Sequence, residues 1–273
     1  MNSDATDLVE LAATERRLAF GDASFGEAPF GEATIGEATI GDARVAPRHE
    51  DFGYPTLARG GSDGVDDAVV AAYAPQSAAI EPLRALRSQL MLRWLQLAPR
   101  RLLAVTSPFA REGRSWLAAN LATVFAQAGQ PTLLIDTDLR APSQHRLFNL
   151  DNSVGLSSLL TARASGRDVF RRIHPQLELF VLPAGLAPPN PQELLLQPLF
   201  ETVLERFAQL FSVVVLDTPP ATRCADAQII AARAGSAVLL SRRNHTRVAG
   251  LRDTMDRLTD SGVHLLGSIV NDY

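Results

Sequence analysis

From residue 102 onward, short runs of apolar and β-branched residues alternate with segments of helical periodicity. The runs are typical of strands buried on both faces, and they occupy residues 102–106, 132–135, 177–182, 213–216, 237–240 and 265–270. Strands interleaved with helices in this way predict a mostly parallel, doubly wound α/β sheet. The spacing of Leu83, Leu86, Leu90 and Trp94 predicts an amphipathic helix over residues 79–97, ahead of the first strand.

The composition is that of a globular protein. Of 273 residues, 46% are hydrophobic and 21% are charged, and no window reaches the ~20 consecutive apolar residues of a membrane-spanning helix. The first residues are acidic, unlike the basic start of a signal peptide. A single cysteine, Cys224, excludes an intramolecular disulfide and a cysteine-cluster metal site. We therefore expect a cytoplasmic protein.

The first 75 residues differ from the rest of the chain. They hold 14 acids and 5 arginines, whereas residues 76–273 hold 16 acids and 21 arginines. Between Phe20 and Ala43 a pentad of the form F/I-G-D/E-A-x repeats, and a spacing of five keeps its apolar residues off any single face of a helix or strand. A pentapeptide-repeat β-solenoid is the alternative, although this tract makes little more than one coil. We predict a disordered segment over 1–75 and one nucleotide-binding domain over 76–273.

The loop after the first predicted strand has the context of a phosphate-binding loop. Residues 107–116 read S-P-F-A-R-E-G-R-S-W, and a helix is predicted from Ser115 to about Ala128. Backbone N–H groups at such a helix start can hold phosphate, and the Ser115 hydroxyl can complete a Mg²⁺ shell. Against the pattern G-x-x-x-x-G-K-[ST], Pro108 replaces the first glycine and Arg114 replaces the lysine. An ordinary strand-to-helix turn is the alternative for this loop taken alone.

Acidic residues follow two other predicted strands. Asp136 and Asp138 come after one apolar run, and Asp217 ends another, before two prolines. Ligands of α/β sheets bind at the carboxyl ends of strands, and Asp217 stands where a Walker B acid meets Mg²⁺. Of Asp136 and Asp138, one can reach a metal or its water and the other an incoming hydroxyl, although a solvated pair of loop acids is the alternative. Together the three segments predict a nucleotide-dependent phosphoryl-transfer site.

This constellation resembles the bacterial tyrosine kinases of exopolysaccharide export, with their Walker A, Walker A′ (apolar run, D-x-D-x-R) and Walker B (apolar run, D-[ST]-P-P) motifs. The resemblance covers roughly residues 75–273. The chain is most similar to the EpsG-type chain length determinant kinases, in E-P-L-R-A-L-R-S-Q-L-M-L-R-W at 81–94, L-P-A-G-x-x-P-P-N-P-Q-E-L-L at 182–195 and A-D-A-Q at 225–228. The resemblance implies a P-loop NTPase fold of the ParA/MinD-like type, with ATP and Mg²⁺ as cofactors. It also implies a tyrosine autokinase that regulates polysaccharide chain length.

The resemblance also implies roles for single residues. Ser115, Asp138 and Asp217 would organise the metal, and Asp136 would act as base or positioner for the acceptor tyrosine hydroxyl. Asn271 is implied to meet the adenine, with an ordinary strand-end asparagine as the alternative. The implied catalytic residues are Arg114, Asp136, Asp138 and Asp217. The implied phosphate-binding residues are Ala110, Arg111, Glu112, Gly113, Arg114, Ser115 and Trp116.

Assembly is implied by the same resemblance. Glu81, Arg84 and Arg87 match the E-x-x-R-x-x-R self-association motif of the family and lie on one side of a helix, where a solvated charged face is the alternative. We expect a ring of subunits held at the inner membrane by a separate membrane co-polymerase protein. Nucleic-acid binding is not expected, because the arginines are spread along the domain without a basic patch and stacking aromatics.

The chain departs from the family at two functional positions. Arg114 stands where the family has lysine, and a planar guanidinium is longer than an ammonium group. All 26 basic residues are arginine, so this substitution follows the whole chain's composition, and we predict retained nucleotide binding with slow transfer. The family's acceptor is a C-terminal tyrosine cluster, of which Tyr273 is the single candidate here; an incidental residue is the alternative.

Two other functions stay open. An ATP-binding, catalytically weak switch subunit of the same export machinery would fit Arg114 and the single terminal tyrosine. A ParA/MinD-type ATPase would share the fold, but Phe109 occupies the place of that group's second lysine. We assign no activity to the pentads, which are similar to a remnant of the small N-terminal helical domain of EpsG-type relatives.

Overall fold

A seven-stranded sheet forms the centre of the molecule, in the spatial order β3-β4-β2-β5-β1-β6-β7. The computed structural model describes residues 57–60, 64–95, 100–164 and 169–272. Neighbouring strands are parallel, except that β3 runs antiparallel to β4 at one edge. The strands are β1 Leu102–Thr106, β2 Thr132–Asp136, β3 Arg171–His174, β4 Leu177–Leu182, β5 Val213–Asp217, β6 Ser236–Arg242 and β7 His264–Asn271.

Helices cover both faces of this sheet. They are α1 Val70–Tyr73, α2 Glu81–Leu90, α3 Arg114–Gln127, α4 Gln144–Leu147, α5 Leu156–Leu160, α6 Pro191–Leu196, α7 Pro198–Leu210, α8 Asp226–Ala234 and α9 Val248–Asp260. Alternate residues of each strand point to opposite faces, so Leu103 and Val105 pack with α1, α2 and α3, while Leu102 and Ala104 pack with helices α5 to α9. The central strands are therefore buried on both sides, which explains their continuous apolar runs.

All six predicted strands are present, and the doubly wound, mostly parallel sheet is confirmed. The prediction missed β3, whose sequence Arg-Arg-Ile-His has no apolar run because this edge strand is only half-buried. An antiparallel edge strand on a parallel sheet is common, and it leaves little signal in the sequence.

The helix predicted over residues 79–97 begins with a 3₁₀ turn at Ala78–Ile80, continues as α2 and ends in a π-helical turn at Met91–Leu95. The helix predicted from Ser115 is α3, which begins one residue earlier. Helix α6 begins at Pro191, and the side chain of Asn190 before it makes no capping hydrogen bond with a described residue.

The packed structure begins before the boundary predicted at residue 76. Val69 and Ala71 are fully buried against α3, and the backbone N–H of Ala71 donates to Oδ1 of Asn120 at 2.9 Å. The pentads between Phe20 and Ala43, and the disorder predicted for them, lie outside the described residues. Within the described part of the chain, no helix combines the length and apolar character required to cross a membrane.

Candidate active site

The loop between β1 and α3 is shaped by residues in the left-handed region. Gly113, directly before α3, has φ 98°, and Arg111 has φ 61°. A Cβ at Gly113 would lie 2.5 Å from Nδ2 of Asn271, so the conformation and the space both require glycine. The loop thus delivers the start of the 14-residue helix α3 to the carboxyl edge of the sheet, where unpaired N–H groups attract anions.

Glu112 ties the two ends of this loop together. Its buried carboxylate accepts a hydrogen bond from the backbone N–H of Phe109 at 2.8 Å and another from the hydroxyl of Thr246. Its carbonyl oxygen accepts from Nδ2 of Asn271 at 3.0 Å. The loop is therefore fixed to the ends of β6 and β7 before any ligand binds.

Arg114 turns its side chain back into the protein. Its Nε donates to the carbonyl oxygen of Thr218 at 2.9 Å, and its Nη1 donates to that of Phe109 at 2.6 Å and to the hydroxyl of Ser107. The residue is only 8% exposed. Two of the three guanidinium nitrogens, Nε and Nη1, are therefore held by protein oxygens, and a phosphate group would have to compete with these oxygens for them.

The acids meet on adjacent strands. The register of β2 and β5 places Asp136 opposite Asp217, and neither is exposed to solvent. Asp136 accepts backbone hydrogen bonds from Ser143 and Gln144, both at 2.8 Å, and from Asp138 at 3.2 Å. Oδ2 of Asp217 accepts from Nε2 of Gln144 at 2.7 Å. Gln144 thus bridges the two strand ends.

Burial and mutual repulsion change the ionisation of this pair. Desolvation, followed by the charge of Asp217, raises the pKa of Asp136 to about 8. Desolvation also raises the pKa of Asp217 to about 6, although hydrogen bonds from Gln144 and Ser115 and the charge of Arg114 act to lower it. Two carboxylates in one dry site hold protons that they would otherwise release, which is typical of functional sites.

The carboxylates and hydroxyl at this edge of the sheet fit Mg²⁺ and a nucleoside triphosphate. Oδ1 of Asp217 is buried and has no hydrogen-bond partner among the described residues, so an oxygen is free for a cation. The hydroxyl of Ser115 hydrogen-bonds Asp217, and Asp138 is 8% exposed at the same edge. No group of three or more His, Cys, Asp or Glu residues able to hold a metal occurs in the described ranges. Mg²⁺ is consistent with this, since it commonly uses one or two carboxylates with waters and phosphates.

The other predicted positions are placed as follows. Ala110 and Arg111 are exposed on the loop, Trp116 is half-buried on α3, and Asn271 binds the loop's backbone through the contact described above. Glu81 is 71% exposed, while Arg84 donates to Glu81 at 3.4 Å and to the carbonyl oxygen of Pro75. Arg87 donates to the carbonyl oxygen of Val124 at 3.2 Å, near the far end of α3. Tyr273 lies outside the described residues.

Sequence reasoning missed two contributors to the site. Gln144 carries the bridge between the strand ends, but nothing in its neighbourhood marks an amide as functional. Arg140 forms a bidentate ion pair with the buried Asp226, at 2.7 Å and 3.2 Å, which ties the loop after β2 to the start of α8. Arg140 stands in the D-x-D-x-R segment and Asp226 in the A-D-A-Q segment, so only their pairing across the fold was hidden.

Fold and site together define a P-loop nucleotide-binding protein of the doubly wound α/β class. No protein-family model matches the chain. Curated relatives include the putative tyrosine-protein kinase CapB of Staphylococcus aureus, 34% identical over 72% of this chain and 86% of that protein. The tyrosine-protein kinase YwqD of Bacillus subtilis is 35% identical over 74% and 85%, respectively. The chain therefore belongs to the bacterial tyrosine kinase family.

Other relatives are much longer than the matched region. The putative tyrosine-protein kinase EpsB of Ralstonia solanacearum is 36% identical over 74% of this chain, which spans only 27% of that protein. Among solved structures, the chimerical protein CapA2B2 has a TM-score of 0.71 and 31% identity over 80% of this chain and 94% of the other. The kinase domain of Escherichia coli ETK has a TM-score of 0.70 and 30% identity over 74% and 79%. MinD of Pyrococcus horikoshii with Mg-ADP, at 19% identity, TM-score 0.55 and coverage of 63% and 70%, shows the shared fold alone.

Proposed function

We propose that the chain is an ATP-dependent tyrosine autokinase that regulates exopolysaccharide chain length and export together with a membrane co-polymerase. The observation that carries the proposal is the in-register pair Asp136 and Asp217 at the carboxyl ends of β2 and β5, next to Ser115 at the start of α3. The names of relatives such as EpsB and CapB support the activity class. The separate partner is supported by a structural neighbour whose name joins CapA to CapB.

We assign the metal and the phosphates to different residues of the site. Ser115, Asp138 and Asp217 would hold Mg²⁺, and the loop from Ala110 to Trp116 would hold the phosphates. Mg²⁺-ATP, when bound, supplies the transferable phosphoryl group and a positive charge that balances the phosphates.

In this assignment Asp136 is the acid next to the tyrosine hydroxyl that accepts the phosphoryl group. Its raised pKa makes its ionised carboxylate a stronger base than that of an ordinary aspartate, which suits a group that accepts the proton of a tyrosine hydroxyl, and the charge of bound Mg²⁺ would favour the ionised form. Its three backbone hydrogen bonds fix the orientation of the carboxylate. We assign Tyr273 as the acceptor, presented to a neighbouring subunit of a ring at the cytoplasmic side of the inner membrane.

Incubation of the purified full chain with Mg²⁺-ATP, read by intact mass, tests this function. We expect a gain of about 80 Da per phosphoryl group, absent in Asp136→Asn and in Tyr273→Phe. Peptide mapping then locates the modified residue. A gain that persists in Asp136→Asn would overturn the role of that acid, and a gain that persists in Tyr273→Phe would overturn the acceptor.

The environment of Arg114 favours a second candidate, a nucleotide-binding switch with negligible transfer. Its Nε and Nη1 are bound by Phe109, Ser107 and Thr218, and these contacts compete with the phosphates for the guanidinium. In this case the wild type binds Mg²⁺-ATP without gaining mass, whereas Arg114→Lys gains it. If wild type and Arg114→Lys gain mass at the same rate, the switch is excluded.

A further inference from the structure

A groove begins between helix α2 and the edge strand β7 and continues past the π-helical turn to the end of α8. It consists of two adjoining cavities of about 510 Å³ and 260 Å³, which share Arg93, Trp94, His264 and Leu266. The larger cavity is within the size range of ligand pockets. It lies at the amino-terminal ends of β6 and β7, beside Ser236 and His264, so it is separate from the nucleotide site at the carboxyl ends.

The walls of the groove are apolar, with one polar group left without a partner. Leu86, Leu90, Leu266 and Ile269 line the narrower part. Trp94 is 4% exposed, yet its indole Nε1 has no hydrogen-bond partner in the described part of the chain. Buried donors are almost always paired, so this N–H is an exception, and the accessible wall beside Trp94 is apolar.

The rim of the larger cavity is positive. Arg100 is neutralised by Glu205 at 2.8 Å and Arg233 by Glu201, both on α7. Arg93 is exposed and forms no ion pair with any described residue. One uncompensated cation therefore stands beside the apolar wall, and an occupant that combines an apolar group with a carboxylate would match both.

We propose that this groove is the docking site for the F/I-G-D/E-A pentads between Phe20 and Ala43 of the same chain. Each pentad supplies a phenylalanine or isoleucine for the wall at Trp94 and, two residues later, a carboxylate for Arg93. The intervening glycine has no side chain, so the pentad backbone can approach the wall closely. No basic residue occurs in residues 20–43 to oppose the pairing.

The connection to the domain permits this docking. Leu57 belongs to the same core cluster as Leu90 and Trp94, so the chain enters the domain on the face that carries α2. Thirteen residues separate Ala43 from Leu57, and when extended they span about 45 Å. A domain of this size has a radius of gyration of about 16 Å. The successive pentads also present several equivalent ligands to one groove, which raises their effective concentration.

Photo-cross-linking in the full chain tests the proposal. We would place p-benzoylphenylalanine at Phe30 and, as the matched control, at Leu11 outside the pentads, and map the products by mass spectrometry. Cross-links from position 30 to peptides containing Arg93 and Trp94, or His264 and Leu266, are expected, with few from position 11. No cross-link from position 30, or cross-links to other surfaces, would overturn the proposal.

Exchanging the charges of Arg93 and the pentad glutamates distinguishes specific docking from nonspecific electrostatic attraction. Arg93→Glu, or Glu27, Glu32 and Glu37 all changed to Arg, should each lower the cross-link yield about fivefold, and combining them should restore it. Changing Asp4, Asp7 and Glu10 to Arg alters the net charge equally and should leave the yield unchanged; an equal loss there would overturn specific docking. Unchanged Mg²⁺-ADP affinity and circular dichroism would show that each variant is folded. In a mixture of isotopically light and heavy protein, a cross-link that joins a light peptide to a heavy one would show docking between two chains and would overturn docking within one chain.

Discussion

At the scale of single residues, the buried carboxylates of Asp136 and Asp217 make the stability of the protein depend on pH in an unusual direction. Both pKa values are raised above the ordinary 3.8 of an aspartate. Between that value and about 8 the folded state therefore holds protons that the unfolded chain has released. Stability rises with pH only where the unfolded state binds more protons, so here it must fall as the pH rises through this window.

We therefore expect the free energy of unfolding, without Mg²⁺ and nucleotide, to decrease between pH 5 and pH 8, and to decrease less in Asp217→Asn. Urea denaturation at several pH values measures both curves. Asp256→Asn removes an exposed carboxylate on α9 and serves as the control, with a curve parallel to that of the wild type. A wild-type stability that rises through this range would contradict the expectation.

A second expectation at this scale concerns Gly113. Gly113→Ala should weaken Mg²⁺-ADP binding about tenfold or more, because left-handed strain costs about 1–2 kcal/mol and the new Cβ displaces Asn271 from the loop. Gly129, just beyond the other end of α3, has φ 73° and open space around it. Gly129→Ala should therefore lower the stability of the protein without lowering its affinity for Mg²⁺-ADP. Calorimetric titration measures the affinities, and equal values for the two variants would refute the role of the loop.

The motif residues could be predicted from the sequence because their spacing reflects the strand ends that carry them. Asp136, Asp138 and Asp217 all lie at the predicted edge of the sheet. The bonding of Arg114 could not be predicted, because the oxygens that hold it come from Ser107, Phe109 and Thr218 on two separate loops. Local sequence gives the position of a side chain on its element but not its partners across the fold.

At the scale of elements, helix α3 is held by the N-terminal arm, residues 57–60 and 64–73. Asn120 accepts from the N–H of Ala71 and donates to the carbonyl oxygen of Ala68 at 2.8 Å, and Gln127 donates to the carbonyl oxygen of Ala71 at 2.7 Å. The helix is thus buried on the side opposite the sheet as well. This accounts for its apolar character all around, in contrast with the amphipathic α2.

Asn120→Ala should destabilise the protein by about 1–3 kcal/mol, since it leaves the buried N–H of Ala71 without an acceptor. Gln127→Ala removes a less buried contact and should have a smaller effect. Hydrogen exchange of residues 64–73, followed by mass spectrometry, locates the change, and we expect faster exchange there in Asn120→Ala. Unchanged exchange in this arm would show that other contacts hold it.

The sequence predicted the elements whose apolar residues follow a regular pattern, and it missed the elements that lack such a pattern. The apolar runs of β1, β2, β4, β5 and β6 predicted these strands, because two-sided burial demands such runs. The run of β7 also predicted a strand, although this edge strand is half-buried to exposed. The arm was missed because its buried residues, Leu57, Val65 and Val69, are scattered among glycines and acids. Burial of such a segment depends on the surface it meets, which the local sequence does not specify.

At the scale of the whole molecule, the self-association assigned to Glu81, Arg84 and Arg87 has one accessible test. Glu81 is 71% exposed, whereas the two arginines also serve the monomer through Pro75 and Val124. Glu81→Ala should reduce oligomer size while changing the free energy of unfolding by no more than about 0.5 kcal/mol. Light scattering after size exclusion measures the oligomer, with the exposed Glu193→Ala on α6 as a matched loss of charge. An oligomer unaffected by Glu81→Ala would contradict the assignment.

The arm on α3 also has a mechanical consequence. A pull on the residues ahead of Leu57 would reach Ala71 and pass through its hydrogen bond to Asn120, which lies on the helix whose first residue is Arg114. Tension applied at the N-terminal side of the domain would therefore be delivered to the element that supports the phosphate-binding loop, along a path of about two helical turns. An arm fastened in this way would transmit force to the candidate nucleotide site.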